Sequence, residues 1–259
     1  MISITALSLR PALAVLTTLI ASGLIYVTGE RVKANTREAI TFVAAFINAA
    51  LVYSMIPAVL AGKTIKLTVI EIVKGIGFTF NVDAAGMVFA CVSATLWILT
   101  SLYSVGYMRG HGEKNQTGYF AAFAMCICAA TGICFAGNLI TFFIFFEALT
   151  VATYPLVVHY RDEEGTRSGR KYLAYTLISG QIMFAAIVIV YVCCGTLDFV
   201  PGGFIKPEDI PMPLMLILFF MMVGAGMVKA GVMPLHSWLP AAMVAPTPVS
   251  ALLHAVAVV

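Results

Sequence analysis

Apolar residues run almost unbroken for about twenty positions at a time, and the charges gather between the runs. Residues 11–28 and 39–61 contain no Asp, Glu, Lys or Arg. Further runs occupy 84–108, 117–137, 139–158, 172–194 and 213–233, and a last one starts near Thr247. The seven complete runs reach the roughly 20 residues that a helix needs to cross a 30 Å hydrocarbon core. The pattern predicts an all-α polytopic membrane protein with seven transmembrane helices and part of an eighth. No segment reads as a convincing strand. Residues 195–212, with Pro201, Gly202, Gly203, Pro207 and Pro211, read as an irregular connection.

Composition agrees: 61% of the residues are hydrophobic and 10% charged, against roughly 25% charged in soluble domains. The first apolar run is long and lacks a small-residue cleavage site, so it reads as a membrane span and not a cleaved signal. Lysine and arginine divide unevenly. Arg31, Lys33, Arg37, Arg109, Lys114, Arg161, Arg167, Arg170 and Lys171 fall on one side, and Arg10, Lys63, Lys66, Lys74 and Lys206 on the other. The richer side is expected in the cytoplasm, which puts the N-terminus outside a plasma membrane or bacterial inner membrane. The net charge of +3 reflects this asymmetry and does not suggest nucleic acid as a partner. The six cysteines lie in apolar segments without a CxxC pair, as small packing residues do. No metal cluster, nucleotide loop or nucleophile constellation is legible, and no cofactor is expected in this chain.

Two charges remain deep within spans, Glu147 and Lys229. A lone charge at mid-bilayer costs roughly 2.5–3.5 kcal/mol on insertion scales, so such residues face the bundle interior and find partners. A mutual ion pair is the simplest arrangement, either as a tie between helices or as working chemistry. Asp83, at the entry to its span, reaches the interface. Three polar stripes at helical spacing accompany the two charges: Glu147, Thr150 and Tyr154; Tyr172, Tyr175, Thr176 and Ser179; and Thr247, Ser250 and His254. Hydroxyls at such intervals could enclose a hydrated line, although Ser and Thr also bond back to their own helix. Pro234 follows Lys229 and frees the Ala230 carbonyl, which suits either a discontinuous helix or a plain helix end. His254, on a helix that Thr247 could cap, suits a proton relay or a packing role. His236 lines the break or sits at the interface. His111 and His159 read as solvated, and Trp238 as an interfacial anchor.

The stretch KAGVMPLHSWLPAAMVAPTPVSALLHA, from Lys229, resembles the signature of antiporter-like membrane subunits of respiratory complex I, multisubunit Na⁺/H⁺ antiporters and energy-converting membrane hydrogenases. FFIFFEALTVATYPLV resembles that family's glutamate-bearing fifth helix, and NVDAAGMVFACVSATLWILTSLYSVGYM its third. The resemblance implies three helices in residues 1–116 and a first five-helix antiporter repeat in 117–259. It assigns proton translocation to Glu147, Lys229 and His254, with redox chemistry in partner membrane and redox subunits. Its leading implication is an ion-pumping subunit of a redox-driven complex. The alternatives are a cation/proton antiporter subunit without a redox partner, or a structural, non-transporting chain. From Thr247 only 13 residues remain, about 20 Å of helix at 1.5 Å per residue. The expectation is therefore a truncated sequence, or a split subunit whose second repeat another chain supplies.

Overall fold

The computed structural model describes residues 5–29, 31–73, 76–206 and 208–252. Among them, seven helical segments are long and apolar enough to cross a bilayer. They are α1 (Arg10–Thr28), α2 (Ala34–Tyr53) continued by the short α3 (Ile56–Leu60), α4 (Ala84–Gly110), α5 (Gln116–Cys134), α6 (Leu139–Val157), α7 (Glu163–Cys194) and α8 (Met212–Lys229). Two short helices follow, α9 (Trp238–Ala242) and α10 (Thr247–Leu252). His254 lies outside the described residues.

Side chains that satisfy free backbone N–H groups start three of the spans. Asp83 accepts from Gly86 N at 2.7 Å, Asn138 from Thr141 N at 2.8 Å and Asp162 from Gly165 N at 2.7 Å. Asp83 thus sits at the entry of its span as a cap. Helix α7 ends at Gly195, whose φ of +67° suits a residue without Cβ. The most enclosed span is α5, packed between α1, α4 and α6. Its Tyr119, Phe120, Phe123 and Ile127 are nearly inaccessible. By contrast Leu16, Ile20, Phe46, Leu102 and Phe220 face outwards, as lipid-facing side chains do.

The absence of strands is corrected. Strand β1 (Thr5–Leu7) pairs in parallel with β2 (Thr64–Val73), which forms an antiparallel hairpin with β3 (Ile76–Val82). The signal was present in the β-branched run TIKLTVIEIV: Ile65 and Leu67 are buried while Lys66 and Thr68 are exposed, the two-residue period of a strand. Its apolar content resembled a short piece of span, which masked it.

Helix bounds also shift where polar residues extend a span. Helix α2 starts at Ala34, so Arg37 and Glu38 are helical and each 6% exposed. Arg109 grips the Glu38 carboxylate through Nε at 2.9 Å and Nη2 at 2.5 Å, and Arg37 reaches Gln116 at 2.6 Å. Helix α7 begins at Glu163, nine residues before its apolar run. His159 is buried, not solvated: it packs edge-on against Tyr119, and its Nε2 lies 3.8 Å from Glu113.

Candidate functional site

Lys229 is the last residue of α8, and Gly231 sets the stop. Gly231 adopts φ +63° and donates to Val228 O at 3.0 Å, while Val232 N reaches back to Met227 O at 3.0 Å. This is the glycine-terminated C-cap in which the backbone closes on its own last carbonyls. Ala230 N bonds Gly226 O at 2.9 Å. Pro234 lies beyond, exposed in the turn that leads to α9. The Gly226, Met227 and Val228 carbonyls are thus met within the chain.

Trp238 completes the closure. It is buried, donates from Nε1 to Val228 O at 2.7 Å, and packs on the Tyr172 ring with centroids 5.4 Å apart. The segment after Gly231 folds back under the bundle, so the expected interfacial anchor is instead a buried brace. Ser237 donates to the Tyr175 hydroxyl at 2.9 Å, tying the same segment to α7.

The Lys229 ammonium is directed into α6. It donates to the Thr150 hydroxyl and, at 3.3 Å, to the Phe146 carbonyl, and lies 4.3 Å from the centre of the Phe146 ring. Residue 229 is 7% exposed. These partners flank Glu147 on the same helix. The Glu147 carboxylate points towards α7, where a Cβ added at Gly180 would collide with its Oε1. That oxygen is buried without a hydrogen-bond partner among the described residues. The ion pairs among the described residues are Arg37–Glu38, Arg109–Glu38 and His159–Glu113, so Glu147 and Lys229 stand as neighbours without contact within 4.0 Å.

The accompanying hydroxyls divide. Thr150 meets the lysine, and its carbonyl accepts from the buried Tyr172 hydroxyl at 3.3 Å. Ser179 and Thr176 bond back to their own helix at 2.8 Å each. Tyr175 and Ser179 also line an apolar groove of about 670 Å³ between α7 and α8. Tyr154 packs near Gly169. Nδ1 of His236 is buried without a partner among the described residues. Ser250 lies on α10, half-buried, with its N–H bonded to Pro246 O at 3.2 Å. Sequence reasoning missed the roles of Phe146 and Gly180. A carbonyl acceptor carries no side-chain signal, and a glycine beside a glutamate in space leaves none in the linear order.

Residues 136–259 match the family described as NADH:quinone oxidoreductase/Mrp antiporter, TM. A subunit of the Na⁺/H⁺ antiporter of Alkalihalophilus pseudofirmus is 32% identical over 71% of this chain and 23% of its own length. NADH-quinone oxidoreductase subunit L of Escherichia coli is 29% identical over 71% of this chain and 30% of its own. The chain therefore spans about a quarter of the length of these relatives. In fold it is similar to a chain of an archaeal respiratory membrane complex, the membrane-bound sulfane sulfur reductase. The TM-score there is 0.86 at 20% identity, covering 97% of this chain and 51% of that one.

Proposed function

From a chain that belongs to the antiporter-like membrane subunits of the NADH:quinone oxidoreductase/Mrp antiporter family, we propose an ion-translocating role centred on Lys229 and Glu147, within a redox-driven multisubunit complex. The observation that carries it is the placement of Lys229. A single ammonium is buried against α6, held by one hydroxyl and one carbonyl, beside a carboxylate that faces elsewhere. A buried cation so lightly held is sensitive to the nearest opposite charge. When Glu147 turns towards it, the ammonium is stabilised; when Glu147 turns to the α7 face, the proton leaves more readily. His254 is the next acceptor in this scheme, and Tyr154, Ser250 and His236 are secondary positions along the polar axis. Other membrane and redox subunits supply the driving step, and a second repeat completes the path.

Lys229→Met removes the titrating group while keeping an unbranched apolar stem. In the assembled complex reconstituted into vesicles, ion movement is expected to fall at least tenfold while the subunits still co-purify. Undiminished pumping in an intact complex would overturn the proposal. A second reading, a cation/proton antiporter subunit without redox partners, is favoured by the likeness to the Na⁺/H⁺ antiporter of Alkalihalophilus pseudofirmus. Exchange driven by an imposed cation gradient alone, with no electron donor, selects that reading.

A further inference from the structure

The site above uses α6, α7 and α8. A separate set of buried polar groups lies on α2 and α4. Asn48 and Trp97 are fully buried, Ser101 is 1% exposed and Ser93 3%. Both amide atoms of Asn48, the Trp97 indole nitrogen and the Ser93 and Ser101 hydroxyls have no hydrogen-bond partner among the described residues.

Two side-chain contacts fix the antiparallel register of these helices. Arg109 grips Glu38 near one end, and the Tyr53 hydroxyl meets Thr95 higher up. Moving ten residues along α2 from Glu38, and ten back along α4 from Arg109, brings Asn48 level with Leu99, between Trp97 and Ser101. Trp97 belongs to one core cluster with Ala44 and Ala45 of α2 and Tyr119 and Phe123 of α5, where α4 packs against both helices. Ser93, Trp97 and Ser101 recur at intervals of four and form one buried stripe. Ser104 continues it, bonded to the Tyr119 hydroxyl at 2.9 Å. At the other end Ser93 lines a cavity of about 540 Å³ with Asp83 and Asn81, whose Oδ1 is also buried and unpartnered. From Arg109 to Ser93 the line extends about 24 Å at 1.5 Å per residue.

Polar atoms in a bilayer must be met from within the protein or by water, and a buried water needs two to four polar partners. Asn48 supplies a donor and an acceptor, Ser101 both from one oxygen, and Trp97 a donor. We propose that the buried face of α4, where it meets α2 and α5, binds a file of internal water, held by Asn48, Trp97 and Ser101 and continued by Ser93 to the cavity. It would give the chain a hydrated line separate from Lys229.

The chain has two tryptophans, and they form a built-in comparison. The Trp238 N–H is bonded to a carbonyl, whereas that of Trp97 has no partner among the described residues. Deuterium exchange of the two indole N–H groups is followed by ¹⁵N-indole NMR in lipid nanodiscs, with Trp238→Phe for assignment. Trp97 is expected to exchange at least tenfold faster than Trp238. Asn48→Leu with Ser101→Ala is expected to slow Trp97 at least tenfold, leaving the Trp238 rate and shift unchanged. Exchange of Trp97 as slow as that of Trp238 overturns the proposal, because the site is then dry or filled by a protein group. Fast exchange that survives the double substitution also overturns it, because helix breathing then suffices. If the pair fails to fold, shown by loss of the Trp238 resonance, Ser101→Ala alone serves with the same expected direction.

Discussion

Single side chains decide what this bundle can do. Gly180 leaves the space that the Glu147 carboxylate occupies, and an added methyl would strike the far end of a flexible side chain, not the backbone. Gly180→Ala is therefore expected to re-aim Glu147 and leave α7 intact, since alanine favours a helix over glycine by about 1 kcal/mol. The melting temperature should hold or rise, while ion movement in vesicles drops by roughly tenfold to a hundredfold, as misplacement of a working group by about 1 Å commonly does. His159, in the loop after α6, offers a pH test. Burial, its main influence, pushes the imidazole below its ordinary 6.5, with Arg161 adding to this and the Glu113 carboxylate opposing it. Tyr119 and Tyr160 enclose the ring. The folded protein thus resists a proton that the unfolded chain accepts, so stability is complete above pH 6.5 and declines as pH falls below it. Melting curves across pH 5–8 should show that decline, and His159→Gln should flatten it.

At the scale of elements, close backbone approach holds the spans together. A Cβ at Gly86 would run into the Cys134 carbonyl oxygen, so α4 and the end of α5 touch through main chain. Neither partner can rotate away. Gly86→Ala should cost about 1–3 kcal/mol as an overpacked contact, read as a lowered melting temperature in detergent. The spans themselves were legible in the sequence because hydrophobic length is nearly sufficient to define a membrane helix. Their ends were less so. Arg37 and Glu38 look like loop residues in the linear order, yet Arg109 and Gln116 from distant elements make a buried helical turn acceptable for them. Strand β2 was hidden for the converse reason, since its apolar residues alternate over too short a run to stand out beside full spans. At the candidate site, Glu147 and Lys229 were readable as charges out of place. Of the two groups that hold the lysine, the Thr150 hydroxyl lay on the predicted stripe, whereas the Phe146 carbonyl is a group that every residue possesses and no sequence displays.

Across the whole molecule, the two ends of the bundle differ in kind. One end carries the β-hairpin and the 195–211 connection, pinned together by the Phe80–Ala136 and Asn138–Asp198 bridges. The other carries the Glu113, His159 and Arg161 turns and the segment after Lys229. We propose from the lysine and arginine distribution that this second end is cytoplasmic. An impermeant thiol reagent added outside intact cells is then expected to label Gly202→Cys and spare Lys114→Cys, with the unsubstituted chain reporting its six native thiols; the opposite pattern reverses the orientation.

The closed end of α8 has a mechanical consequence. Its Gly226, Met227 and Val228 carbonyls are bonded by Ala230, Gly231, Val232 and Trp238, which holds the end of that helix wound. Any travel of the ammonium at position 229 must then come from rotation about its own methylene stem, as an arm swinging from a fixed post. Its reach is the length of one side chain, and whatever exchanges a proton with it must come within that radius.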